Sequence, residues 1–421
     1  MSKHVRLCAR EDVVRTTVPD GGRSSRIRLF GVLLVVVLGI TGCTRGTQGI
    51  FATIEVEEET KTSNLVDNTS ATALVRTDLG DVARFVVQAG TKIFTRDATP
   101  GAQWSALSAP SGYIPTFLAG IDSNSSGDGT VEAVYAVFFD PAANQDYLYE
   151  LEDSGGSLSW NRIPIGAGTW DPAEGRIRGL EGVNNRLVLA ADNGEAIDDD
   201  TYEQRLYSFG TDLTGKTDLG TFNADDRGIR AAAANSAGDI VVIGNTVHVT
   251  DGVSSGGLSE SSTTIENGRG VTAFPSALSS GSPTDAFLLG TLDGTLFTST
   301  NGNSWTAVDG NIPDRSFSGV AWVDHEELLV VGTVSYEGGD TEGTTSARGY
   351  YEVTSSSTAA PYTLDFSNDT ISDNYDGSEL ATSGIARFVY YPTQSTLFAL
   401  SHGRGLWRTN YESVGPDWFW E

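Results

Sequence analysis

The stretch Asp285-Ala286-Phe287-Leu288-Leu289-Gly290-Thr291, Leu292-Asp293-Gly294, Thr295-Leu296-Phe297-Thr298-Ser299-Thr300, Asn301-Gly302-Asn303, Ser304-Trp305-Thr306-Ala307-Val308 holds three apolar runs joined by two tight turns. Asp293-Gly294 and Asn301-Gly302 are dipeptides that favour positive φ, the condition for turns whose twist matches that of the flanking strands. The stretch reads as a three-stranded antiparallel meander.

The same unit recurs along the chain. Its marker is an apolar residue followed by an aromatic one in the third strand: Ile93-Phe94, Leu148-Tyr149, Leu206-Tyr207, Leu296-Phe297, Tyr350-Tyr351 and Leu406-Trp407. Val247-His248 fills the remaining place, with His for the aromatic. Successive pairs lie about 41 to 58 residues apart, a spacing in the range of propeller blades. Each follows an apolar run such as Phe85 to Ala89, Ile240 to Ile243, Leu328 to Val331 or Thr396 to Leu400. Ahead of those runs, further strands begin near Ala71, Ile114, Ile177, Gly228, Gly270, Ser318 and Gly384. Seven units with room for four strands each point to an all-β, seven-bladed β-propeller of four-stranded antiparallel sheets. A blade count of six or eight stays open, as do a sandwich pair and a solenoid. The propeller is favoured because a lone four-stranded sheet leaves both faces wet, and radial stacking buries them between neighbours. No stretch carries the 3.6-residue apolar period of a long amphipathic helix.

The chain has 421 residues, 49 of them Gly, and a formal net charge of −28. Its length alone suggests two or three domains, but the repeat assigns residues 71–421 to one large domain. A surface so acidic repels nucleic acid and anionic headgroups, so both are poor candidates as partners. After Cys43 the only lysines are Lys61, Lys92 and Lys216.

Residues 1–42 read as a removed signal segment. Arg23, Arg26 and Arg28 form a basic region, and Leu29 to Ile40 is an apolar run too short to span a bilayer comfortably. Ile40-Thr41-Gly42-Cys43 follows. That order of apolar, small, Gly, Cys resembles the lipobox of bacterial lipoproteins. The resemblance implies that Cys43 is acylated and becomes the mature N-terminus, which places the protein on a membrane of a bacterial cell envelope without spanning it. An ordinary signal peptide or an anchor helix is the alternative. The only Met is Met1, and the translation start could lie downstream. Cys8 and Cys43 are the only cysteines, so the folded part then holds no thiol and no disulfide. Residues 43–70, with Glu55, Glu57, Glu58 and Glu59 close together, read as an acidic tether. Alternatively, Ile50 to Ile54 adds an outer strand to the last blade.

Ser299-Thr300-Asn301-Gly302-Asn303-Ser304-Trp305 resembles the Asp-box of bacterial-neuraminidase-type repeat propellers, Ser-x-Asp-x-Gly-x-x-Trp. This copy carries Asn301 for Asp and is one residue shorter. The resemblance implies a structural role for Ser299, Asn301, Gly302 and Trp305 in the hairpin between third and fourth strands. Looser versions run from Asp97 to Trp104, Asp153 to Trp160 and Asn410 to Trp418. Sialidases with such boxes also carry an aromatic-Arg-Ile-Pro motif. Arg162-Ile163-Pro164 is present, with Asn161 in the aromatic place, and it follows Trp160 at the outer edge of the second unit, where the family has the motif before the first blade. The family's Tyr nucleophile, its Glu and its catalytic Asp match no residue.

Arg178-Gly179-Leu180, Arg227-Gly228-Ile229 and Arg269-Gly270-Val271 open the first strands of three consecutive units. Equivalent positions in adjacent blades converge on the central mouth, so Arg178, Arg227 and Arg269 are candidates for an anion site built on guanidinium forks. Pairing of each with a nearby carboxylate, such as Asp171, Asp225 or Asp226, is the alternative. The long segments Asp192 to Gln204 and Val334 to Arg348 read as loops on the same rim.

His248, His325 and His402 show no zinc spacing. Asp122-Ser123-Asn124-Ser125-Ser126-Gly127 mimics the start of a calcium loop, yet its twelfth position is Ala133 instead of a bidentate Glu. Glu195 to Asp200 is a second acidic run. No cofactor is expected, and calcium is a minor alternative. The expected function is a lipid-anchored envelope propeller that binds a protein or glycan, or serves as a scaffold, without chemistry. The other class is a glycan-acting hydrolase of sialidase-like type.

Overall fold

The computed structural model divides the chain into two compact units, Met1–Glu59 and Thr60–Glu421, and the residues it describes lie in the second. They are 65 and 70–421, without 100, 123–128, 167, 197–201, 214, 225–227, 277–283, 309–314, 335, 338–343, 346–348, 356–363, 366–383, 403–404 and 411–417. Cys43, its preceding segment, Ile50 to Ile54 and Arg227 all fall outside them.

The unit is a seven-bladed β-propeller. In the fifth blade the quoted stretch forms strands Thr284–Thr291, Leu296–Ser299 and Thr306–Ala307, with Gly268–Ser276 as the inner strand. The two turns fall at Asp293-Gly294 and Asn301-Gly302, with φ of 84° at Gly294 and 71° at Gly302. The other inner strands are Ala71–Thr77, Ile114–Ile121, Arg176–Val183, Ala231–Ala234, Ser316–Val323 and Ile385–Tyr391. Each blade continues outward through three more antiparallel strands in sequence order. Inner strands touch in circular order, and the seventh touches the first.

All seven third-strand pairs lie on third strands. The first member is buried in every blade, and the second is 5–7 % exposed in six of them. Phe297 is the half-buried exception. This pair feeds the core, which consists of apolar wedges between neighbouring sheets. Between the seventh and first blades, the Phe85 ring meets Tyr391 edge-on at 5.3 Å and lies tilted against Phe398 at 5.0 Å.

Inner strands crowd where they meet. A Cβ on Gly182 would overlap the Gly120 carbonyl oxygen of the neighbouring blade, and one on Gly270 would overlap the Ser318 carbonyl oxygen. Only the missing side chain lets these backbones approach.

Three expectations change in detail. The fourth inner strand begins at Ala231, not near Gly228. Gly228 has φ 63° and lies against the Arg178 carbonyl, so it belongs to the connection from the third blade. Asp192 and Gln204 are not loop residues: they pair with each other within strands Arg186–Ala196 and Tyr202–Phe209, and both are buried. The segment from Val334 carries a small hairpin, Tyr336–Glu337 with Thr344–Thr345. The end of the 43–70 stretch is attached to the propeller. Buried Leu65 donates its N–H to the Glu421 carbonyl at 2.9 Å, and Ser70 bridges to Gly405.

Candidate functional site

The inner strands enclose an axial channel of about 1440 Å³, lined by residues of all seven blades. All inner strands start at one end, here the upper, and finish at the lower. At the lower end the segment after the second inner strand folds back inward. Thr130–Val131 adds a short parallel strand to the first inner strand, opposite Arg76 and Thr77. Arg76 donates to the hydroxyls of Thr130 at 2.6 Å and Thr393 at 2.9 Å. The channel is thereby narrowed from below.

Aligning the blades by the third-strand aromatic and its two cross-strand partners places residues in register around the ring. Leu74, Leu118, Leu180, Ala232, Val271, Val320 and Phe388 are equivalent. Two positions earlier stand Thr72, Thr116, Arg178, Arg230, Arg269, Ser318 and Ala386. In six blades the inner strand bulges there, adding a residue that its partner strand does not match. Arg178 and Arg269 therefore hold matching places, as their spacing suggested. The matching residue between them is Arg230, which the Arg-Gly pattern missed because Arg227 is three residues out of register. Only the strand pairing reveals that offset.

These arginines are engaged differently. Arg178 is paired with Asp192, whose carboxylate is buried beside it, and does not line the channel. Arg230 lines it and donates to the Asn245 side chain at 3.1 Å and the Gly268 carbonyl at 3.5 Å. Arg269 lines it and donates to the Gly268 carbonyl at 3.3 Å. A third arginine of the upper channel, Arg387, forks onto Glu181 with both Nη–Oε distances at 2.8 Å. That pair joins the seventh blade to the third across the axis. The Glu181 charge holds the Arg387 guanidinium above its ordinary value and outweighs the opposing effect of its partial desolvation. Among described lining residues, Arg230, Arg269 and Arg387 stand at or near the upper ends of their strands, with Glu181 bound to Arg387, while Arg76 lies near the lower end of its strand and Asp122 and Asp324 follow the lower ends of theirs. In a chain of net charge −28 the upper channel is locally basic.

The turn at Ser299–Trp305 is on the lower side. Ser299 Oγ accepts from the N–H of Gly302 at 2.9 Å, and Asn301 Oδ1 accepts from those of Asn303 and Ser304 at 3.0 and 3.1 Å. Buried Trp305 donates Nε1–H to the Gly302 carbonyl at 2.7 Å. These four residues hold one turn together and lie outside the channel lining. Of the looser matches, Asp97 and Asp153 both pair with Arg84, which ties the first blade to the second. Arg162 lies on the outer strand of the second blade with its guanidinium 3.7 Å from the Tyr147 ring centre, away from the channel.

His248 is buried on a third strand, its ring nitrogen 3.0 Å from the Thr246 hydroxyl. His325 is exposed beside Glu326, and His402 lies among the channel-lining residues. Asp122 is described, but residues 123–128 of the calcium-like loop and the side chains of 195–200 are not. Among the described residues no three His, Cys, Asp or Glu side chains are grouped to hold a metal.

No protein-family model and no curated protein matches the sequence. Among solved structures the fold is similar to PorZ, a bacterial surface component of the type-IX secretion system of Porphyromonas gingivalis, at 10 % identity and a TM-score of 0.45. The match covers 85 % of this chain and 39 % of that one, so this chain spans about two fifths of that protein's length.

Proposed function

We propose that this protein is a lipid-anchored cell-envelope propeller that binds an anionic ligand in the upper channel and performs no chemistry. The observation that carries the reading is the arginine set itself. Three successive blades place arginine at one structural position, two of those three line the channel, and Arg387 adds a fourth guanidinium below them. Guanidinium forks match carboxylate and phosphate geometry, and low-dielectric walls focus their field on an entering anion. The anchor rests on Ile40-Thr41-Gly42-Cys43. A hydrolase of the two-carboxylate type needs a pair of acids facing one substrate bond. Among described residues the upper channel offers Glu181, which is bound to Arg387.

The test is a thermal-shift panel of acidic sugars, peptides, calcium and neutral glycans on the full chain. A ligand at 100 times its Kd stabilises by about 2.7 kcal/mol. A domain of about 350 residues unfolds with an entropy near 0.7 kcal/mol/K, so the shift is about 4 °C. The reading expects that shift with acidic sugars and its loss in R230Q/R269Q. A flat response to every anion would sink it and turn attention to protein partners on the rim.

A further inference from the structure

The Arg387–Glu181 pair stands out against the ring's own pattern. At the position of Arg387 the other blades carry Ala73, Phe117, Gly179, Ala231, Gly270 and Gly319. At the position of Glu181 they carry Val75, Ala119, Ala233, Thr272, Ala321 and Val389. Two inner strands thus each break a small or apolar rule with a charged residue, and the two charges meet on the axis. Stability gives no sufficient reason for this. An ion pair with one partner as exposed as Arg387 is screened by solvent and contributes little net stability, because desolvation of the acid offsets most of the attraction. The pair also lies in an open channel and not within a packed wedge: 39 % of the Arg387 side chain remains exposed, against 11 % for Glu181.

The surroundings suit a polar guest. Below the pair, Tyr391 lines the channel at the lower end of the strand that carries Arg387, and its hydroxyl is buried with no hydrogen-bond partner. At that lower end Arg76 Nε is likewise buried and unpartnered, although its Nη1 donates to Thr130 and Thr393. Both guanidiniums are close enough to Tyr391 to act on its ionisation. A buried hydroxyl and a buried N–H without partners are costly unless a ligand or water satisfies them.

We infer that Arg387 is a carboxylate-binding residue whose fork Glu181 occupies in place of a ligand carboxylate. Two parallel N–H···O bonds at 2.8 Å are the geometry a free carboxylate would take. The channel is self-blocked: a guest carboxylate entering past Arg230 and Arg269 must displace Glu181, and phosphate, which is tetrahedral, replaces it less well. This deepens the reading of the upper channel as an anion site and rests on it.

The test is calorimetric titration of the full chain with D-glucuronate and with inorganic phosphate, comparing wild type, E181Q, E181Q/R387M and R230Q/R269Q. Apparent affinity is reduced by the fraction of protein in the binding-competent state. Removing the internal competitor should therefore tighten glucuronate at least about tenfold, and phosphate by less. R387M in the E181Q background should abolish the gain. E181A serves if E181Q does not fold. Glucuronate affinity within twofold of wild type in folded E181Q overturns the inference and leaves the pair a strut between blades. If R230Q/R269Q still weakens wild-type binding in that case, the anion reading survives alone. Binding by neither wild type nor E181Q overturns both.

Discussion

Glu421 closes the ring, and removing its carboxylate should be among the most damaging single changes in the protein. Its Oε2 accepts from Arg96 Nη2 and Trp104 Nε1, each at 3.1 Å, and its Oε1 accepts from Arg408 Nε. Its backbone N–H donates to the Leu406 carbonyl, and its own carbonyl accepts from Leu65. One side chain thus binds the first blade, through Arg96 and Trp104, to the seventh, through Arg408. Arg96 is 5 % exposed and lies between the rings of Phe85 and Trp104. Burial pushes its guanidinium below its ordinary value, Glu421 opposes that, and Arg408 adds repulsion. In Glu421→Ala the Arg96 charge stays buried with its counter-charge gone, a loss that costs about 3–5 kcal/mol. At an unfolding entropy near 0.7 kcal/mol/K the Tm falls by about 4–7 °C. Scanning calorimetry of the full chain measures it. Arg96→Met in the Glu421→Ala background should recover most of the loss, because the unpaired charge is then gone too. A drop below about 1 °C, or no recovery in the double variant, would refute the claim that this carboxylate holds the closure.

Gly182→Ala should prevent proper closure between the second and third blades, costing more than the ~1–3 kcal/mol of ordinary overpacking, because the new Cβ meets backbone; Gly166→Ala, with open space around it, should leave the Tm unchanged. Ser299→Ala should cost about 1 kcal/mol in urea unfolding through the lost turn bonds, with ligand binding unaffected. His248 has its pKa pushed down to about 4 by burial. The unfolded chain therefore takes up a proton first, and stability falls as pH drops from about 6.5 to 4, by up to about 3 kcal/mol; His248→Tyr should flatten that part of the stability–pH curve. Radiolabelled palmitate should be incorporated into the wild type in a bacterial host and absent from Cys43→Ser.

The fold was legible because one physical requirement recurs. Each sheet needs a large side chain on its third strand to fill the wedge toward its neighbour, so Phe94, Tyr149, Tyr207, Tyr351 and Trp407 mark their blades. Even His248 keeps the place, buried as a neutral ring. The candidate site was legible only in part. The Arg-Gly context marks Arg178 and Arg269 as equivalent positions, of which only Arg269 lines the channel, and that context reflects two needs, a bulge and a close approach, which separate in the fourth blade. There Gly228 serves the approach and Arg230 the channel. Arg387 and Glu181 carry no local signal at all. They lie 206 residues apart, and only ring closure brings them together. Asp192 looked like the start of an acidic loop, but its strand runs on, and its buried carboxylate is a partner for Arg178.

An experimental structure of the full chain, soaked with D-glucuronate at ten times its Kd, tests the central claim most directly. The account predicts a carboxylate seated in the upper channel within hydrogen-bond distance of Arg230, Arg269 or Arg387. Glucuronate bound only on the outer strands, with the channel holding water alone, would contradict it.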